Sequence, residues 1–224
     1  MKKGDFILID YVGRVKDTEE IFDLTKEEAA KKEKIYSEKF KYGPVPVIID
    51  ANFVLPGLNE ALKEMKIGEK RNVEVAPEKG FGDRKNEYVK LLPESKFKDQ
   101  DIDVTPGSIV TINNIRGRII SSDGGRVKID FNHPLAGKIL LYDVEIVSEI
   151  TDINEKVKSV VWYFLGTDKE NVILSLKEKC AEISFKEKID VHEETKETIA
   201  NTIMNWVDVI EEVVFSDKFK KRKE

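Results

Sequence analysis

Residue types that carry covalent or metal chemistry are sparse in this chain and do not cluster. It has two histidines, His133 and His192, and one cysteine, Cys180, all far apart. Their spacing matches no familiar metal-ligand pattern. No Ser/His/Asp or Cys/His arrangement lies in a recognisable motif, so a hydrolase or redox enzyme finds no support. His133 stands beside Pro134 in FNHPLAG, where a histidine shaping a loop is a better account than an acid, a base or a ligand. What the chain offers instead is aromatic and aliphatic side chains along its apolar segments, with acids such as Asp23 beside them. They include Tyr11 in LIDYVGRV, Phe22-Asp23 in EEIFDLT, Leu55 and Leu58 in FVLPGLNEAL, Phe81 in GFGD and Tyr142 in ILLYDVEIV. Taken singly, such apolar residues are core and Asp23 is a turn or capping residue.

The composition narrows the classes further. Lys and Arg number 38 and Asp and Glu 43, giving a net charge of −5, so the basic face of a dedicated nucleic-acid binder is not expected. The Lys/Glu-rich 36% of charged residues resembles proteins of thermophiles. No apolar run approaches the ~20 residues that cross a bilayer. Asp5 and Asp10 interrupt the apolar start MKKGDFILIDYVGRV, so a signal peptide is not expected. A single cysteine cannot form an internal disulfide, which fits a reducing, cytoplasmic setting.

Several elements must position the candidate residues. FILIDYVGRV (residues 6–15) is β-branched and aromatic and reads as a strand, with EEIFDLT continuing a sheet edge. The Lys/Glu/Ala-rich stretch 26–41 predicts an exposed helix that GPVPV ends. In GLNEALKEM, Leu58, Ala61, Leu62 and Met65 fall at helical spacing, and RNVEVAP resumes as a strand. From about residue 84 to residue 130 the texture becomes short strands, with a possible helical turn at LPESKF and hairpin chemistry at Asp123-Gly124-Gly125. A long strand within 131–150 is then needed by the strands before residue 84, so the β-rich stretch reads as an insertion. After Glu149 the predicted order is α-β-β-α-β. Ile153, Val157, Val160, Val161 and Phe164 stripe one helix, with Thr151 or Asp152 as its cap. Ile199, Ile203, Trp206, Val207 and Ile210 stripe the second. The tail KFKKRKE reads as a solvated end.

The ordered segments LIDYVGRV, IFD, FVLPGLNEAL, MKIGEKRNVEVAP, GFGD and HPLAGKILLYDVEIV together resemble an FKBP-type peptidyl-prolyl cis/trans isomerase of the SlyD kind. The resemblance covers residues 3–83 and 131–150, and the inserted β module sits where SlyD-type proteins carry an insert-in-flap chaperone domain. The extension after residue 150 is similar to that of long archaeal FKBP-type proteins. The implied architecture is α+β: an antiparallel sheet wrapped on a short helix (1–83 and 131–150), a small β-rich insert (84–130) and a C-terminal α+β domain (151–224).

The chemistry of such an enzyme suits the residues. Twisting a peptide bond costs ~18–20 kcal/mol because resonance is lost, yet cis and trans X-Pro lie within ~1 kcal/mol. No bond breaks, so the resemblance implies no cofactor and no metal. An apolar pocket that desolvates the amide, with a few fixed hydrogen bonds, favours the twisted form. The resemblance implies pocket walls at Tyr11, Phe22, Val54, Leu55, Leu58, Phe81, Leu135, Ala136 and Tyr142. Asp23 would be the one acid beside the substrate carbonyl, and the Leu55 N–H would hold the peptide. Leu58 stands where the best-known small members have Trp, and Phe81 where a Tyr is usual.

In the insert, the resemblance places client binding on an exposed apolar face, with Tyr88, Val89, Leu91, Leu92 and Ile115 as candidates. Partners are therefore unfolded or proline-containing polypeptides. The Trp- and Phe-bearing stripes of the C-terminal module slightly favour a homodimer. Activity is expected to be isomerase plus chaperone. The missing hydroxyl at Phe81 keeps open an alternative, a holdase with a relic pocket.

Overall fold

The computed structural model describes residues 1–98 and 102–217, so the tail KFKKRKE lies outside the described residues. In chain order the elements are β1 (Phe6–Val15), β2 (Ile21–Leu24), α1 (Glu27–Lys32), β3 (Val45–Ile48), α2 (Pro56–Glu64) and β4 (Lys70–Val75). There follow β5 (Val89–Pro93), α3 (Ser95–Lys98), β6 (Ile109–Ile112), β7 (Ile115–Asp123), β8 (Arg126–Asp130) and β9 (Leu140–Glu149). The chain finishes with α4 (Ile153–Leu165), β10 (Val172–Lys177), β11 (Cys180–Phe185), α5 (Glu193–Trp206) and β12 (Glu212–Phe215). No helix among the described residues is long and apolar enough to cross a membrane. The chain divides into two compact units.

The first unit holds Met1–Arg14, Ile21–Val73 and the described residues from Tyr142 onward. Its organising strand is β1, ten residues of mostly apolar and β-branched side chains. One edge of β1 pairs antiparallel with β3, from Phe6↔Ile48 to Ile9↔Val45, and then with β2, where Val12 faces Leu24 and Gly13 faces Asp23. The sheet order is β2-β1-β9-β4. Side chains alternate across a strand, so Ile7, Ile9, Tyr11 and Gly13 share one face of β1, and Phe6, Leu8 and Asp10 the other.

Helix α1 stops after six residues, well short of the predicted 26–41. Lys34 is left-handed, with φ 59°. The Ile35 N–H donates to the Ala30 carbonyl (2.9 Å) and the Lys34 N–H to that of Lys31 (3.2 Å), which is the Schellman closure. Glycine usually occupies that left-handed position; a lysine there gives no warning in the sequence. Helix α2 starts with Pro56 at its first helical position, where the missing N–H costs nothing, and it buries Leu58 and Leu62.

The C-terminal module has the predicted order. The Asp152 carboxylate caps α4 by accepting from the Glu155 N–H at 2.9 Å, and Gly166 closes it at φ 61°. Strands β10 and β11 are antiparallel and β12 joins β11 in parallel. The apolar stripes of both helices are buried in one core with Val172, Ala181 and Ile183, and that core extends to Phe6, Ile48 and Ile150. Helix α5 ends at Trp206, so Val207 and Ile210 continue the stripe only as buried residues beyond it.

The second unit comprises Val15–Glu20 and the described residues of Glu74–Leu141. Strands β5-β8-β7-β6 form an antiparallel sheet. Both inner turns are two-residue loops with positive φ, the chemistry of a type I′ hairpin: Gly124 (57°) and Gly125 (76°), and Asn113 (50°) and Asn114 (63°). A small core of Phe97, Val110, Ile119, Val127 and Ile129 lies on one face. The two chain passages at the base of this sheet are tied together. Arg84 donates to Asp130 through Nε (2.8 Å) and Nη2 (2.6 Å). Asn132 exchanges hydrogen bonds with the backbone of Lys85 at 2.8 and 2.9 Å. Although burial pushes the Asp130 carboxyl up, hydrogen bonds from Asn132 and Arg84 outweigh it and hold it below the usual range.

Gly117 is the tightest point of this sheet: a Cβ there would lie 2.6 Å from Ile129 and 2.8 Å from the Phe131 ring. Gly117→Ala should therefore cost the module about 1–3 kcal/mol. Limited proteolysis should show faster cutting between residues 85 and 130, with the rest of the chain as resistant as before. Unchanged protection would contradict this packing.

Candidate active site

Four of the residues singled out from the sequence meet on the first unit. The Tyr11 hydroxyl donates to Asp23 Oδ2 at 2.6 Å. The Tyr142 ring stands edge-on to Tyr11 and to Phe22, with centroids 5.6 Å apart in each case. Such edge-on pairs contribute ~0.5–1.5 kcal/mol each beyond area burial. The backbone explains the meeting: Tyr11 and Gly13 share a face of β1, and Gly13 lies opposite Asp23. The absent side chain at Gly13 makes room for Phe22, whose ring comes within 2.7 Å of where a Cβ would be. Burial pushes the Tyr11 phenol far above its ordinary range, and the Asp23 charge pushes it further. Burial and then Asp23 do the same to Tyr142. Both hydroxyls therefore stay protonated at any working pH, and Tyr11 remains a donor to the carboxylate.

Val54, Leu55 and Leu58 lie where the preceding loop enters α2. Leu58 is fully buried, and Val54 and Leu55 are partly so. The Leu55 N–H precedes the first helical turn, where the helix itself supplies no acceptor. The loop is clamped at its start. The Asp50 N–H donates to Asn59 Oδ1 (3.0 Å), Asn59 Nδ2 donates back to Asp50 Oδ1 (2.7 Å), and Lys63 Nζ reaches Asp50 Oδ2 (2.9 Å). The Lys63 and Asn59 hydrogen bonds hold the Asp50 carboxyl below the usual range. At the other end Phe53 stacks against Tyr163 of α4. Neither Phe53 nor Tyr163 was among the residues the sequence suggested; no motif marks a contact between a loop and a helix 110 residues apart.

Phe81, Leu135 and Ala136 lie in the second unit. There Phe81 stacks face to face on His133, with centroids 4.2 Å apart and planes 7° from parallel. His133 Nδ1 accepts from the Leu135 N–H (3.2 Å) and its carbonyl from the Ala136 N–H (2.9 Å). His133 thus shapes its own loop, as its position before Pro134 suggested.

A cleft of about 660 Å³ opens elsewhere on the first unit, lined by residues such as Asp10, Thr25, Lys26, Glu27, Tyr42 and Glu145. Asp10 points to the opposite face of β1 from Tyr11. Charged walls suit an apolar proline ring poorly, so the aromatic cluster is the better candidate.

On the inserted sheet, Tyr88, Leu91 and Ile115 are exposed, as are Ile109 and Ile120, which the sequence had not singled out. Val89 is partly buried, and Leu92 packs against the module's own core.

Comparison with known proteins shows the family. A family model described as "FKBP26, IF domain" matches residues 90–135, which contain all but the first residue of β5 to β8. The chain is 34% identical over 146 residues to the short-type peptidyl-prolyl cis-trans isomerase of Methanocaldococcus jannaschii, spanning 65% of this chain and 92% of that protein. It is 32% identical over 109 residues to the FKBP-type isomerase SlyD of Helicobacter pylori, covering 46% and 58% of the two chains. Among solved structures, the three FKBP domains of wheat FKBP73 align over 67% of this chain and 40% of that one, at 18% identity and a TM-score of 0.36. The chain belongs to the FKBP-type peptidyl-prolyl cis/trans isomerases. It is an α+β enzyme that interconverts cis and trans prolyl peptide bonds.

Gly13→Ala offers a test of the cluster. A methyl group there must displace the Phe22 ring, the free end of a side chain, and not backbone. The variant should keep its melting temperature to within a few degrees yet lose roughly tenfold or more in kcat/KM on a prolyl tetrapeptide, because small misplacements at a site are costly. Full activity would remove Phe22 from the site.

Proposed function

We propose that the chain turns prolyl bonds against the Tyr11–Phe22–Asp23–Tyr142 cluster, gripping the peptide through the Leu55 N–H, and that the inserted module holds unfolded chain for it. The observation that carries the first half is the Tyr11–Asp23 hydrogen bond, beside a Tyr142 ring that stands edge-on to Tyr11 and to Phe22. The twisted amide is less polar than the planar one, so aromatic walls that exclude water favour it over the ground state. As resonance is lost, the carbonyl carbon becomes more electron-poor. A carboxylate fixed beside it stabilises that change, and Tyr11 keeps Asp23 from swinging away. The Leu55 N–H binds a peptide carbonyl and anchors one side of the bond while the other rotates. No proton is transferred and no bond is broken.

The second half rests on the exposed Tyr88, Leu91, Ile109, Ile115 and Ile120 of the inserted sheet. Isolated surface apolar residues need no explanation, but several on so small a module support a surface for unfolded chain. The match to the insert domain of a related family supports the same reading. Because both activities sit on one polypeptide, a client held by the insert meets the isomerase site at a high effective concentration. The C-terminal stripes lie inside the chain's own core. A chain with one cysteine and no internal disulfide is suited to the cytoplasm.

Two measurements test the proposal together. In a protease-free isomerisation assay, Asp23→Ala and Tyr142→Ala should each lower kcat/KM by about tenfold or more. Deleting residues 85–130 should preserve the rate on short peptides and abolish most of the acceleration of a proline-limited protein refolding reaction. Unaffected rates in both point variants would displace the site. Equal loss, or no loss, in the two assays of the deletion variant would refute the division of labour.

A further inference from the structure

The loop before α2 is backbone-strained and held at two points. Asp50 and Asn52 are both left-handed, with φ 65° and 60°, conformations that cost a non-glycine residue of order 1 kcal/mol or more. Asn59 and Lys63 of α2 hold the Asp50 end. The other end is held by the C-terminal module. The Tyr163 hydroxyl donates to the Phe53 carbonyl at 3.1 Å, and the Tyr163 ring lies on Phe53 with centroids 4.1 Å apart. Phe164 closes the group, edge-on to Tyr163 at 5.2 Å and to Phe53 at 6.3 Å. Burial raises the Tyr163 phenol above its ordinary range, so it stays a donor. Fixing the Phe53 carbonyl fixes the plane of the peptide that joins Phe53 to Val54, one bond before the Leu55 N–H.

We propose that Tyr163 is a positioning residue for the isomerase: by holding the Phe53 carbonyl it orients the Val54–Leu55 backbone that grips the substrate, so the C-terminal module completes the site. This rests on the reading that Leu55 and the Tyr11–Asp23 cluster engage the peptide. The contact differs in kind from the docking of the module through Phe6 and Ile48, which buries apolar surface and has no direction. A hydrogen bond to one carbonyl has direction, and it falls at the loop that carries a recognition group.

The test uses the full chain and four variants, with prolyl tetrapeptides that differ in the residue before proline. Tyr163→Phe removes only the hydroxyl and should lower kcat/KM about fivefold, the size of one hydrogen bond. The loss should fall on KM with kcat retained, because the Leu55 N–H binds planar and twisted amides alike. Tyr163→Ala should lose more. Leu176→Ala, which weakens the core of the same module from β10, should stay within about twofold. In Tyr163→Phe the amide NMR signals of Val54 and Leu55 should shift, a readout independent of whether Tyr163→Ala folds. Unmoved amides, or an equal loss in Leu176→Ala, would overturn the positioning role. So would unchanged KM in both Tyr163 variants while Asp23→Ala loses activity. If Asp23→Ala also keeps full activity, the site assignment itself fails, and this inference fails with it.

Discussion

An amide can twist easily only where water does not compete for its polar atoms, and a fixed charge beside the carbonyl adds to the preference for the twisted form. We propose that the two demands meet here in the hydrogen bond from Tyr11 to Asp23. The phenol holds the carboxylate without adding a counter-charge, and the Tyr142 ring stands edge-on to Tyr11 and to Phe22. A lysine or arginine at position 11 would neutralise the acid, and a leucine would leave it unsupported. Burial raises both phenols, so neither gives up its proton across the working range of pH.

Much of the first unit follows from strand β1, which has two different faces. One presents Tyr11 to the proposed site, together with Gly13, whose missing side chain leaves room for the Phe22 ring. The other presents Phe6 and Leu8 to the core of the C-terminal module. A strand buried on both sides lets an appended module pack behind the catalytic sheet, and from there α4 reaches the loop that enters α2. The inserted sheet solves a separate problem. A module this small has a limited core, and two tied passages at Arg84–Asp130 and Lys85–Asn132 hold its base together.

The elements with local chemistry were legible in the sequence. Alternation marked β1, Gly124-Gly125 marked a hairpin, Asp152 marked the start of α4, and the spacing of Ile199 and Ile203 marked the buried side of α5. What escaped depended on backbone states or distant partners. Lys34 takes a conformation usually left to glycine and ends α1 early. Asn113-Asn114 makes a tight turn inside IVTINNI, which reads as one short strand. The aromatic cluster was legible only through its likeness to a family, because Tyr11, Phe22, Asp23 and Tyr142 are contiguous in space and scattered in sequence. The Phe53–Tyr163 contact joins a loop to a helix in a different module, and no local pattern encodes it.

The central claim is that catalysis here is the desolvation and holding of an amide, with no proton in flight. The most direct measurement is the rate of cis/trans exchange of a prolyl peptide, followed by NMR with the full chain in H₂O and in D₂O. The account predicts equal kcat/KM in the two solvents, because Asp23 acts as a fixed charge and Tyr11 never gives up its proton. A markedly slower rate in D₂O would mean that a proton moves in the rate-limiting step, and would contradict it.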